Sequence, residues 1–302
     1  MITAVGLARD PTIKHFVETA RRLGNDVRLI DLDAVVGSRW ELRLPPDEQS
    51  WVVADGDMIR LDPDDAHYCR PIDLGLVDVA RALEWRTLTT AVESWLELVP
   101  GTVVNRPGHV FDNSSKPLHE ARIEALGLSV PPSVTSSSRT ELLAFVEGGN
   151  AIAKALSGTR GDCRQVAAED FDDYEEHSGP VHLQRFVSGY DVRAHVIGDR
   201  VITTRVRSSH PDYRLDRDVE FEPWQLPDAV NARLHVATRE FGLLFAGWDL
   251  RVDDDDRHWV FEANPMPGYS YYDGQLGGEI TEALIGCLTA AARGSKAPSP
   301  RF

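Results

Sequence analysis

Two short segments in the last quarter of the chain carry the residues best suited to chemistry. Gly247-Trp248-Asp249-Leu250-Arg251-Val252 and His258-Trp259-Val260-Phe261-Glu262-Ala263-Asn264-Pro265 have the pattern of strands, and an acidic turn from Asp253 to Arg257 joins them. Folded as a hairpin, they bring Asp249, Glu262 and Asn264 near one another. Glu262 and Asn264 are two residues apart and share a strand face. A carboxylate left unpaired inside an apolar strand is costly, whereas two carboxylates and an amide oxygen on one surface suit a hard divalent cation, Mg²⁺ in particular. The competing reading is a pair of acids on the solvated side of the hairpin. The run Asp253 to Asp256 reads as a solvated turn only.

Cations that could face an anion lie upstream. Ala151-Ile152-Ala153-Lys154 is an apolar strand ending in a lysine, and Ser157-Gly158-Thr159-Arg160-Gly161 follows closely. Such a loop brings backbone N–H groups against phosphate oxygens while the lysine supplies charge; it is also compatible with a simple turn. Lys116 follows Asn113-Ser114-Ser115 at a helix start, where the macrodipole disfavours a cation. A bound anion would account for it, as would plain exposure. Between Gln184 and Asp199, apolar and polar residues alternate as in strands, and Gln184 to Val187 offers backbone groups to a purine edge. Arg193 and Arg205 are expected to point together into a cleft, with Arg207 on the same face as Arg205. His195 and His210 are the candidate general bases.

Several elements must position these groups. Ile2 to Ala8, a helix from Pro11 to Gly24 and Val27 to Leu32 form a βαβ opening, without the G-x-G-x-x-G that a dinucleotide site needs. Trp51 to Ala54 and Met58 to Leu61 flank Asp55-Gly56-Asp57 as a hairpin. Leu74 to Leu98 reads as an interrupted helix, Gly101 to Asn105 as a strand, and Asn105 to Gly108 as a boundary. Lys116 to Leu126 is helical, and Val181 to Phe186 is a strand. Val192 to Val206 is a hairpin turning at Gly198-Asp199. A helix from Ala229 to Phe241 leads to the acid-bearing hairpin.

Composition narrows the partners. The 302 residues include 32 Lys plus Arg against 48 Asp plus Glu, a formal charge of −16. That excess speaks against general affinity for nucleic acid or anionic membrane, and no apolar run is long enough to cross a bilayer. Three scattered cysteines form neither a zinc cluster nor a disulfide framework. A cytoplasmic protein is expected.

The order of the blocks resembles that of the ATP-grasp superfamily, in the branch of ribosomal-protein glutamate ligases and peptide-modifying graspetide ligases. The resemblance covers residues 103 to 292. Lys116 and Lys154 resemble the family's two nucleotide lysines, and Gly158 and Gly161 its phosphate loop. Gln184, Phe186 and Val187 stand at the adenine-holding hinge, Asp191 and Arg193 in its "D-hydrophobic-R" strand, and Asp249, Glu262 and Asn264 at its metal positions. Arg185 replaces the usual hinge acid, which leaves Asp191 as the candidate for ribose. The resemblance implies an α/β (α+β) chain: a pre-ATP-grasp domain over 1–104 and an ATP-grasp domain over 105–292, with a central subdomain near 110–180, a C-terminal one near 181–292 and a frayed tail over 293–302. It implies ATP with Mg²⁺ or Mn²⁺ as cofactors. The implied activity is carboxylate–amine ligation through an acyl phosphate, on a small amino acid or a peptide. Arg193 and Arg207 would be catalytic, and Arg205, His210, Arg214 and Tyr269 would face the substrate. A homodimer is common for the fold. An ATP-grasp kinase and a non-catalytic nucleotide-binding module remain alternatives.

Overall fold

The computed structural model describes residues 1–71, 79–109, 115–156, 163–208 and 219–290. The opening apolar run forms β1 (Ile2–Gly6), buried throughout. The chain enters α1 (Pro11–Arg22) through Asp10, whose carboxylate accepts the Thr12 N–H, with Pro11 in the first turn. β2 (Val27–Asp31) returns parallel to β1. After α2 (Leu32–Val35), β3 (Trp40–Glu41), β4 (Trp51–Ala54) and β5 (Asp57–Arg60) make a small antiparallel sheet. Its tight turn holds Asp55 and Gly56 at φ 53° and 91°, which explains the Asp-Gly pair there. β6 (Ala66–Cys69) and β7 (Val103–Val104), joined across α3 (Ala82–Leu98), complete a parallel sheet of order β2-β1-β6-β7.

A second sheet, antiparallel and of order β10-β9-β11-β8, contains β8 (Ser133–Ser136), β9 (Ala151–Lys154), β10 (Arg164–Val166) and β11 (Val181–Arg185). It closes over Leu142 of α5 (Arg139–Glu147), with Leu183 and Phe171 in the same cluster. The largest sheet has order β14-β13-β12-β15-β16, all antiparallel, from β12 (Tyr190–Ile197), β13 (Arg200–Arg207), β14 (Glu220–Trp224), β15 (Phe245–Val252) and β16 (His258–Asn264). One face of it buries Val192, Ala194, Trp248, Leu250 and Val260 against Ile123 of α4 (Lys116–Ala125) and Leu234 of α6 (Asp228–Glu240). The opposite face, with Ile197, Ile202 and Phe245, packs on α7 (Ser270–Gln275) and α8 (Glu279–Ala290).

Ile2, Phe16 and Tyr68 of the first sheet and its helix belong to that same cluster, together with Leu284 of α8. The βαβ opening and the large sheet therefore share one continuous core. Burial at roughly 25 cal/mol per Å² of apolar surface ties them together more firmly than a flexible linker would.

Candidate functional site

The acid-bearing hairpin folds with Asp249 directly opposite Glu262 and Gly247 directly opposite Asn264, so the three oxygen donors lie on one face of β15 and β16. The register shifts between Asp249 and Leu250, because Leu250 pairs with Val260 and leaves Phe261 as an extra residue. Such a bulge re-aims side chains near sites. Here the Phe261 ring lies 4.9 Å from Lys154 Nζ and 5.7 Å from the Arg251 guanidinium. Both acids have cationic partners: Arg193, directly across on β12, pairs with Asp249, and Lys116, at the first turn of α4, pairs with Glu262. Burial would raise the Glu262 carboxyl, but Lys116, Arg193 and Lys154 together hold it well below the usual carboxylate range.

Gly247 makes room for this arrangement. A Cβ at that position would collide with the Arg193 guanidinium and with Pro267. Among the described residues, no group of three His, Cys, Asp or Glu forms a metal cluster. The donor set here is instead two carboxylates and an amide. That set fits a hard cation bound through few protein ligands, as Mg²⁺ prefers.

A second wall comes from the smaller sheet. Lys154, at the end of β9, donates to Gln184 Oε1 at 2.7 Å. Its ammonium is pushed down chiefly by burial, against the opposing pull of the Cys163 thiol, Glu120 and Glu262. Next to it, Arg251 forms a bidentate pair with Asp191 at 2.8 and 2.9 Å and donates to the Val187 carbonyl at 3.0 Å. Its guanidinium lies 5.8 Å from the Phe186 ring. Asp191 thus sits on the same face as Arg193 and Asp249, and Arg251 ties it to the 186–187 hinge.

Polar side chains from outside the large sheet hold the exit of β16. His119, one turn into α4, accepts the Ala263 N–H on Nε2 at 2.9 Å; burial first, then Lys116, pushes this imidazole down to about 4, so it stays neutral. Asn105, which follows β7, donates to the carbonyls of Phe245 and Pro265 at 2.6 Å each and accepts from Leu244 N and Phe245 N. Arg70, after β6, is paired with Asp10 at 2.6 Å and donates to the Met266 carbonyl. Met266 N in turn donates to Asn264 Oδ1 at 2.9 Å.

No family model matches the chain. Among curated proteins, a probable alpha-L-glutamate ligase 1 of Shewanella amazonensis is 27% identical over 169 residues, 50% of this chain and 54% of that protein. A probable alpha-L-glutamate ligase of Histophilus somni is 28% identical over 174 residues, 53% of this chain and 58% of that protein. The chain thus spans little more than half the length of these relatives. Solved structures agree over nearly the whole chain. The ATP-grasp ligase PsnB, complexed with a phosphomimetic variant of its minimal precursor, Mg and ADP, gives a TM-score of 0.79 at 23% identity, covering 95% of this chain and 98% of that one. The macrocyclase MdnC of Microcystis aeruginosa, bound with precursor peptide MdnA, gives 0.82 at 18% identity, covering 96% and 100%. The chain has the ATP-grasp fold. These likenesses fall in the same branch as the resemblance carried by the sequence motifs.

On this ATP-grasp frame several expectations need correction. Arg193 does not share a cleft with Arg205 and Arg207. Arg193 stands opposite Thr204, whereas Arg205 stands opposite Val192, so the alternation puts them on opposite faces of the sheet. Arg205 lies 3.8 Å from the Tyr190 ring and pairs with Glu222 at 3.5 Å, and the half-exposed Arg207 pairs with the same Glu222 at 3.1 Å. Arg207 thus lies on the face opposite Arg193 and Asp249, though it does share a face with Arg205. Tyr269 does not reach a substrate, because it is fully buried between Phe245, His15 and Thr281. Tyr271, two residues on, is the exposed one, at 59%. His195 is fully buried against Tyr272 and Phe245 and is held neutral by burial, so it does not act as a base toward bound substrate. Gly158, Gly161, His210 and Arg214 lie outside the described residues.

Three residues of this site escaped the sequence. Glu120 and His119 sit on the Lys116 side of α4, in line with the buried Ile123. A polar pair on the apolar stripe of a short helix was the available signal. Arg251 lies within the acid-bearing strand with no role assigned from the sequence, and only its cross-strand partner Asp191 reveals its task.

Proposed function

We propose that the protein is an ATP-dependent carboxylate–amine ligase that acts on a peptide substrate. The observation that carries this reading is the single face on which Arg193 meets Asp249 and Lys116 meets Glu262, with Asn264 alongside. Asp249, Glu262 and Asn264 would hold Mg²⁺, with Mn²⁺ a substitute of similar ligand preference; bound there, the cation offsets charge on phosphate oxygens. Lys116 and Lys154 would hold the nucleotide phosphates. Phe186 and Val187 would take the adenine beside Gln184, and Asp191 the ribose side. The 1–104 and 105–292 segments are treated as the preceding domain and the ATP-grasp domain.

The chemistry follows from the charges. A donor carboxylate attacks the γ-phosphorus of ATP, the bond to ADP breaks, and an acyl phosphate results. An amine then attacks the acyl carbon, the carbon–oxygen bond to phosphate breaks, phosphate leaves, and the nitrogen gives up one proton to phosphate or solvent as the amide forms. Arg193 would neutralise the acyl phosphate and then the tetrahedral oxyanion, where a pre-oriented donor is worth most. No protein nucleophile is required. A groove of about 380 Å³ lined by Val219, Glu220, Phe221, Glu222, Tyr271 and Gln275 runs between β14 and α7. Phe221 is opposite Val206, which is opposite Asp191, so this groove borders the Arg193 face. It supports a peptide over a free amino acid, as does the likeness to precursor-binding ligases over nearly the whole chain.

We also place the protein in the cytoplasm, where the free Cys69, Cys163 and Cys287 stay reduced. It would have no nucleic-acid or membrane partner and would act as a homodimer; no described helix is long and apolar enough to cross a membrane. The test is a panel of peptides carrying Glu or Asp with Lys, Ser or Thr, incubated with Mg-ATP and followed by ADP release and mass spectrometry. A ligase releases ADP and phosphate and yields a product that has lost one water, or has gained the residue supplied. Phosphate retained on the peptide would make the protein a kinase, and absence of ADP across the panel would make it a binding module.

A further inference from the structure

Glu120 lies in the second turn of α4 and is 4% exposed. Its carboxylate collects three side chains from the neighbouring sheet: Ser133 Oγ at 2.6 Å, Gln184 Nε2 at 2.8 Å and His182 Nε2 at 3.1 Å. Burial alone would raise this carboxyl, but the His182 and Ser133 hydrogen bonds outweigh it, and the group is held below its ordinary range. An ionised carboxylate only accepts. His182 Nε2 must therefore carry a proton toward Glu120, while its Nδ1 lies 2.9 Å from the Thr135 hydroxyl.

The same logic fixes the Gln184 amide. Its two ends are nearly identical in shape, so the partners decide which way it points. Glu120 can take only the NH₂ end, which turns the carbonyl oxygen toward Lys154 Nζ at 2.7 Å. The reversed amide would set two donors against a buried ammonium, a costly arrangement. Gln184 is itself fully buried, which leaves no water to take over.

We infer that Glu120 is a positioning residue for nucleotide binding: it sets the polarity of the Gln184 amide, and that amide holds the Lys154 ammonium in place. The inference rests on the reading of Lys154 as a nucleotide lysine. Glu120 touches no reacting atom. It acts through Gln184 and Lys154, both on the smaller sheet.

The test is a double-mutant cycle read by calorimetry with Mg-ADP, which binds without turnover, alongside melting temperature without nucleotide. Lys154→Ala should weaken Mg-ADP binding more than about tenfold, and Glu120→Gln by about five- to tenfold. Because Glu120 acts through Lys154, the double variant should be no weaker than Lys154→Ala within about twofold, a coupling that independent sites lack. Equal losses in both backgrounds, or unchanged affinity in Glu120→Gln, would overturn the proposal and leave Lys154 as a nucleotide lysine. Unchanged affinity in Lys154→Ala would instead remove the reading beneath it, and the proposal with it. Should Glu120→Gln melt below the assay temperature, Glu120→Asp, which keeps the charge but draws it back from Gln184, carries the same cycle: its loss must likewise vanish in the Lys154→Ala background, and an additive loss overturns the proposal.

Discussion

On the large sheet, Arg193 and Lys116 each sit directly against a carboxylate, Asp249 and Glu262. On the smaller sheet, Lys154 meets a carboxylate, Glu120, only through the Gln184 amide. The difference matters because a direct ion pair neutralises both members, whereas an amide relay orients a cation without cancelling it. A divalent cation taken up by Asp249 and Glu262 would compete with Arg193 and Lys116 and release them toward phosphate and substrate. Lys154 has no such exchange to make. The Gln184 carbonyl oxygen fixes its direction, and the Phe261 ring lies 4.9 Å from its Nζ.

This contrast can be broken experimentally at several points. Glu262→Gln combined with Asn264→Ala should remove the large-sheet clamp and reduce Mg-ATP turnover by more than about a thousandfold, as expected when charge offset at the phosphates is lost; steady-state ADP release measures it. Arg193→Ala should lower kcat by about a hundred- to a thousandfold while nucleotide affinity, read by calorimetry, stays within about threefold. Gly247→Ala should reproduce part of that kcat loss by pushing the same guanidinium aside. On the other wall, Lys154→Ala should act on binding, raising the dissociation constant of Mg-ADP by more than about tenfold with a smaller effect on kcat at saturation.

Acid should weaken the folded state. His67 and His119 are each pushed down to about 4, chiefly by burial, from an ordinary 6.5. The unfolded chain binds those protons first, so stability is full above about pH 6.5 and declines as pH falls toward 4. Urea melts across that range would show the slope, and His119→Gln should flatten it. The smallest effect on kcat is expected at Arg207→Ala, which faces away from Arg193: kcat should stay within about twofold, and any loss should fall on the KM for peptide, because Arg207 pairs with Glu222 of the groove.

How much of this was legible in the sequence follows the same divide. Cross-strand and two-residue spacings placed Asp249, Glu262 and Asn264 together, since alternation is a local rule that the hairpin obeys. The rule failed where a bulge intervened, so Phe261 turned toward the lysine unforeseen. Arg193 and Arg205 were misassigned for another reason: their common face depends on which residues pair across a turn, and a pairing of Val192 with Arg205 puts Arg193 on the other side. Tyr269 and Tyr271 are both strand- and loop-compatible tyrosines, and only packing against His15 of α1 separates the buried one from the exposed one. Glu120 required two strands, β8 and β11, to converge on a helix that lies between two sheets. Asn105 stood out as a boundary residue, yet it proves to be a four-bonded tie between β7 and the large sheet. Periodicity speaks for neighbours on one element; contacts among distant elements are set by the core that buries them.

If both walls form one nucleotide site, its large-sheet half depends on a metal. Calorimetric titration of ADP, with and without Mg²⁺, into the wild type and Glu262→Gln tests it most directly. Binding should strengthen at least about tenfold with Mg²⁺ in the wild type and lose most of that gain in Glu262→Gln. Equal affinity with and without Mg²⁺, or a full Mg²⁺ gain retained by Glu262→Gln, would contradict it.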